Sequence, residues 1–270
     1  MSHEMDLSFL ETPEILQVIF PVAYSPFLLR DHIQSSPKNG KVYPVEVDKK
    51  VNIYCGFWVN SKDSPSIIYF HGNGETVADH GWIAPVYNHL GINIFVADYR
   101  GYGSSDGKPT VGNMLNDAHI ILSSFQAIIR EEGFKGSIFI MGRSLGSLPA
   151  IELAFHHQEE INGLIIESGS ANNLHRLWGH IGTTNRQSLL QDDNVFLNTV
   201  KIRQVNKPTL IIHGEYDQIL PVAEGRELYQ NSGDGEKKLL IIPGADHNDI
   251  MIIDRALYFD TISEFVTIHS

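Results

Sequence analysis

A single cysteine, Cys55, stands in 270 residues, so no internal disulfide can form and a reducing compartment fits best. It lies inside an apolar run with strand character, where a thiol serves as a small buried apolar side chain. Basic residues are also scarce. Only 20 Lys and Arg face 32 Asp and Glu, and the formal net charge of −12 argues against nucleic acid or an anionic membrane surface as partner. No apolar run approaches the ~20 residues that a spanning helix needs. The start, Met1 to Glu11, carries His and acids where an export signal carries Lys or Arg. A cytoplasmic protein without stable membrane insertion is the expectation.

Cofactor signatures are missing too. Gly107-Lys108 is followed by Pro109, so there is no phosphate-binding loop. Gly101-Tyr102-Gly103 imitates a dinucleotide fingerprint, but its third glycine position holds Asp106. His156-His157 is the one tempting metal pair, and adjacent residues on a helix point apart. No cofactor and no metal site are expected. The chain also lacks an internal repeat or a composition break, and its length suits one large domain with a sizeable core.

What is present is a succession of strands. Val42 to Val47 and Val51 to Val59 read as an antiparallel hairpin. Ser66–Phe70, Ile92–Ala97, Ser137–Met141, Gly163–Glu167, Pro208–His213 and Lys238–Ile242 are continuous apolar runs, as in parallel strands buried on both faces. Helical segments alternate with them: Glu75–Leu90, Thr110–Glu132, Leu145–His157, Pro221–Gln230 and Asp249 to the end. The alternation predicts an α/β fold, a doubly wound, mostly parallel sheet of eight strands over residues 42–270. Residues 1–41 read as an N-terminal arm packed on that domain. Its apolar part, Pro13 to Arg30, is interrupted by Pro21 and Pro26 and contains a short helix. The long connection at about 168–206, between strands six and seven, carries Trp178 and reads as a small cap or lid.

The turn Gly142-Arg143-Ser144-Leu145-Gly146 joins an apolar strand to a helix. Strand, Gly-x-Ser-x-Gly, helix is the arrangement that lifts a serine hydroxyl clear of a sheet, beside a base and beneath N–H donors. The pentapeptide alone is a weak signal; its setting makes the case. Ligands bind outside the carboxyl ends of parallel strands. Other such ends carry His71-Gly72-Asn73-Gly74-Glu75, His213-Gly214-Glu215-Tyr216-Asp217 and Gly244-Ala245-Asp246-His247-Asn248.

Serine, then acid, then histidine at these strand ends, with the His-Gly turn, resembles the α/β-hydrolase superfamily from about Val42 to the C-terminus. The His-Gly-Asn-Gly-Glu turn, Asp98-Tyr99-Arg100-Gly101-Tyr102-Gly103 and Gly-Arg-Ser-Leu-Gly look like the α/β-hydrolase-domain subgroup of acylglycerol lipases and protein depalmitoylases. The resemblance implies a cofactor-free serine hydrolase acting on a small-molecule carboxylic ester or thioester. Ser144 would be the nucleophile, His247 the base, and Asp217 the acid that orients it. Backbone N–H groups of Leu145 and Asn73 would form the oxyanion hole. Glu167 is the alternative acid. His71 and His213 are expected to be structural, Asp246 and Asp249 to face solvent or cap a helix, and Asp98–Ser105 to brace the sheet end. Two other functions remain open at this point: a relative using the same residues on amide or carbon–carbon bonds or as a perhydrolase, and a non-catalytic binding protein on the same fold.

Overall fold

In the computed structural model of the chain, residues 10–24, 40–172 and 197–270 are described. The expectation of a cap at about 168–206, with Trp178, lies mostly outside them, as does part of the N-terminal arm expected at 1–41.

Eight strands form one sheet: β1 Lys41–Asp48, β2 Val51–Trp58, β3 Ser66–Phe70, β4 Asn93–Ala97, β5 Ile138–Arg143, β6 Gly163–Glu167, β7 Thr209–Gly214 and β8 Lys237–Ile242. Their order is β1-β2-β4-β3-β5-β6-β7-β8. β1 and β2 form the antiparallel hairpin, closed by Lys49 and a left-handed Lys50, and β2 pairs antiparallel with β4. The pairings from β4 through β8 are all parallel.

The side-chain period of two divides each central strand between two cores. Ile68, Phe70, Phe95, Ala97, Ile140, Leu164, Ile166 and Ile211 pack beneath the helices Val111–Glu132 and Ser147–His156. Ile67, Tyr69, Ile94, Val96, Phe139, Met141, Ile165, Leu210 and Ile212 pack beneath Ala84–His89 and Arg255–Ile268. Two buried faces are why these strands read as unbroken apolar runs. The long helix buries Val111, Met114, Leu115, Ala118, Ile121, Leu122 and Phe125, one stripe at helical spacing. It begins at a reciprocal Thr110–Asn113 cap and ends at a left-handed Gly133.

Three expected helices are divided. Glu75–Leu90 becomes a 3₁₀ turn, Val77–Trp82, and a helix, Ala84–His89, because Gly81 lowers helix propensity and Pro85 has no N–H for a continuous ladder. The C-terminal segment breaks between Ile250–Ile253 and Arg255–Ile268 at Asp254, whose side chain accepts from the Leu257 amide at 3.0 Å. The elbow opens with a 3₁₀ turn at Ser144–Gly146 before the α-helix begins.

Near the N-terminus, Thr12 caps the helix Pro13–Ile19, and Pro21 starts a second short helix, Pro21–Tyr24. Leu10, Ile15, Leu16 and Phe20 are buried in the core under the long helix. Tyr24 donates to the Pro109 carbonyl at 2.9 Å. Cys55 is fully buried, and burial pushes its thiol pKa well up, as suits an inert core residue. Among the described residues, no helix is long and apolar enough to cross a membrane.

Candidate active site

The turn after β5 is very tight. A Cβ at Gly142 would lie 2.2 Å from the Gly146 carbonyl oxygen, and one at Gly146 would lie 2.0 Å from that of Phe70. Only glycine lets the helix cross the strand so closely. Between them Ser144 is held left-handed at φ 51°, a conformation that costs a non-glycine residue about 1–2 kcal/mol. The Ser147 hydroxyl donates to the Ser144 carbonyl at 2.6 Å and helps hold the turn.

Three loops converge on that serine. Ser144 Oγ and His247 Nε2 are 2.9 Å apart, and His247 Nδ1 lies 2.7 Å from Asp217 Oδ2. An ionised carboxylate only accepts, so the shared proton sits on Nδ1 and the Nε2 lone pair faces the serine hydroxyl. Asp217 is fixed from its other side, where Oδ1 accepts from the Ile219 and Leu220 amides at 3.0 and 2.8 Å. Burial works against its charge, but hydrogen bonds from His213, His247 and the Leu220 amide outweigh this and hold its pKa well below the usual carboxylate range. It stays ionised at any working pH.

Glu167, the other carboxylate considered, turns elsewhere. It is fully buried, accepting from Tyr258 Oη at 2.6 Å and from Arg143 Nε at 3.1 Å. Asn73 sits in the loop after β3, its side chain fixed at both ends. Nδ2 donates to the Ile19 carbonyl at 2.8 Å, and Oδ1 accepts from Tyr102 Oη at 2.7 Å. The N-terminal helices are thereby tied to this loop. Leu145 lies within the 3₁₀ turn that leads into Ser147–His156, where aligned peptide dipoles favour negative charge.

The structural readings of the remaining polar residues agree with their contacts. His71 lies 2.8 Å from the Gly72 carbonyl and 3.2 Å from Asp98, which also accepts from the Val77 amide at 2.7 Å. Arg100 grips Asp117 with two bonds of 2.7 Å. His213 Nε2 donates to the Leu220 carbonyl at 2.8 Å. Asp249 precedes the helix Ile250–Ile253 and accepts from the Asp246 amide. Among the described residues, no group of three His, Cys, Asp or Glu side chains is arranged to hold a metal ion.

His156 and His157 do point apart, joining two neighbouring networks. His157 lies 2.7 Å from His119 and 2.8 Å from Glu160, while His156 lies 3.1 Å from Glu152. Glu152 also carries Lys201, which is almost wholly buried. Burial opposes the Glu152 charge, yet His119 and Lys201 prevail and hold its pKa at about 2. A depressed acid stabilises the fold above its unfolded value of about 4.3 and loses that contribution as pH falls toward the folded one. Glu152→Gln is therefore expected to cost about 2–3 kcal/mol at pH 7, largely by stranding Lys201, and about half as much at pH 3. Urea melts at both pH values check this; an equal loss at the two would contradict it.

Sequence reasoning singled out neither Arg143 nor Glu75, although both lie inside the quoted motifs. The available signal was a long basic residue at a strand end that must be buried, which demands carboxylate partners.

A mostly parallel sheet of this strand order, with a serine elbow and acid and histidine at later strand ends, is the α/β-hydrolase fold. Residues 61–190 match the family model described as serine aminopeptidase S33. The α/β hydrolase domain-containing protein aho-3 of Caenorhabditis elegans is 29% identical over 203 residues, covering 74% of this chain and 57% of that protein. Human α/β hydrolase domain-containing protein 17B is 28% identical over 207 residues, covering 75% of this chain and 66% of that protein. The chain thus spans less than two thirds of either relative's length. The esterase Pf2001 of Pyrococcus furiosus shares the fold, with a TM-score of 0.68 at 18% identity over 87% of this chain and 96% of that one. The chain is thus similar to proteins of the α/β-hydrolase-domain group and shares the α/β-hydrolase fold with solved hydrolases.

Proposed function

We propose that the protein is a serine hydrolase cleaving carboxylic esters or thioesters through an acyl-enzyme. The observation that carries this reading is the continuous hydrogen-bonded chain from Ser144 through His247 to Asp217. Ser144 Oγ attacks the carbonyl carbon while its proton passes to His247 Nε2. The resulting oxyanion is received by the amides of Asn73 and Leu145. Collapse expels the alcohol or thiol, which takes the proton from Nε2. Water then repeats the sequence on the acyl-serine, releasing the carboxylic acid and restoring Ser144. Asp217 holds the imidazole in the tautomer that accepts from serine and stabilises the imidazolium formed. The single buried cysteine goes with a reducing, cytoplasmic setting for this enzyme.

A fluorophosphonate tests the reading directly. The protein should be labelled at Ser144, as mapped by mass spectrometry; an unlabelled native protein would refute the proposal and favour a binding role. The match to a serine aminopeptidase model supports a second reading, amide hydrolysis by the same residues. Aminoacyl p-nitroanilides beside p-nitrophenyl esters and an acyl thioester separate the two.

The same ester series carries a prediction about size. Only about 40 residues separate β6 from β7, short for a deep cap that would enclose a long chain. Acetyl to hexanoyl esters are expected to turn over faster than palmitoyl ones. A palmitoyl preference, measured below the aggregation concentration, would reverse this expectation.

A further inference from the structure

We propose that Arg143, the residue before the elbow serine, is a positioning residue that locks the histidine loop and the Asn73 loop onto the elbow. This rests on the roles proposed above for Ser144 and His247.

Arg143 ends β5 and is 5% exposed. Its guanidinium spends its donors on three separate pieces of chain. Nε donates to Glu167 at 3.1 Å, at the end of the neighbouring strand β6. Nη1 pairs with Glu75 in the loop after β3. Nη2 donates to the main-chain carbonyl of His247 itself at 2.8 Å, and to Asn248 Oδ1 at 3.2 Å. Glu75 passes the linkage on, since its second oxygen accepts from the Gly72 amide at 2.9 Å, one residue before Asn73.

The loop is shaped around this arginine. A Cβ at Gly72 would lie 2.4 Å from Arg143 Nη1, so glycine there makes room for the guanidinium. The histidine loop has particular need of an anchor. It leaves β8, the edge strand of the sheet, with β6 and β7 between it and β5. The guanidinium spans that separation and grips the backbone that aims the imidazole. A displacement of about 1 Å between reacting groups is enough to cost on the order of 100-fold in rate. Lysine would keep the charge but not the planar fork that reaches several partners at once.

The test is Arg143→Lys in the full chain. With p-nitrophenyl acetate, kcat is expected to fall about 10- to 100-fold while KM stays within about threefold, as for an interaction realised in the transition state. Fluorophosphonate labelling should slow in parallel. Proton NMR of the His247 Nδ1–H should show faster exchange with water than in the parent. A merely stabilising residue would lower Tm and leave kcat per folded molecule and the imidazole proton unchanged, and that outcome would overturn the proposal. Should Arg143→Lys not fold, Glu75→Gln at a partly exposed position takes its place. Its kcat should then fall about 3- to 10-fold at constant KM, and an unchanged kcat would overturn the proposal equally. If the parent itself resists fluorophosphonate, the hydrolase reading fails. The NMR comparison still decides whether Arg143 positions His247.

Discussion

Replacing Ser144 with alanine is expected to abolish fluorophosphonate labelling and to lower kcat on an activated ester by on the order of 10⁴ to 10⁶. The size follows from the connectivity. The hydroxyl is the atom that bonds to carbon, and His247, 2.9 Å away, has no other proton to take at the start of the reaction. Adding His247→Ala to Ser144→Ala should cost little more, because residues of one relay act as a unit. Stability should behave differently. Alanine inherits the left-handed backbone at φ 51°, so Tm should hardly move, whereas Ser144→Gly should be more stable than Ser144→Ala by about 1 kcal/mol. Labelling that survives in Ser144→Ala would remove the serine from the mechanism.

Asp217→Asn is expected to lose on the order of 10³ to 10⁴ in kcat with the fold intact by circular dichroism. The surroundings dictate how the amide must sit. Two backbone N–H groups, from Ile219 and Leu220, point at one carboxylate oxygen, so asparagine has to place its own oxygen there. Its NH₂ then faces His247 Nδ1, which must accept, and the ring proton moves to Nε2, toward the serine. The imidazole can no longer take the serine proton. Glu167→Gln should stay within about tenfold of the parent in kcat, because its carboxylate serves Arg143 and Tyr258. A larger loss in Glu167→Gln than in Asp217→Asn, both folded, would mean that the acid had been misassigned.

Much of this was legible in the chain because it depends on local pattern. Period-two burial on both faces makes a parallel strand an unbroken apolar run, and all eight expected strands occur with ends displaced by no more than two residues, the largest shift being β5, which runs on to Arg143. The Gly142–Gly146 spacing announces a turn too tight for a Cβ at either end. Helix continuity was less legible. Expected unbroken, the segment after β3 divides at Gly81–Pro85 and the last one at Asp254. Tertiary packing decides whether a short turn pays its nucleation cost.

By itself the sequence determined the fold class and the elbow, which follow from residue type and place along a strand–helix alternation, and its resemblance to the α/β-hydrolase superfamily named Ser144, Asp217, His247, Asn73 and Leu145 as candidates. Only the tertiary structure decided which carboxylate meets the histidine. Asp217 and Glu167 both end parallel strands, and sequence separation does not tell toward which face a side chain turns. It also decided that one buried guanidinium joins Glu75, Glu167 and the His247 carbonyl. Those groups lie far apart in the chain, and a buried charge selects its partners through three-dimensional proximity, where the cost of desolvation leaves no alternative to pairing.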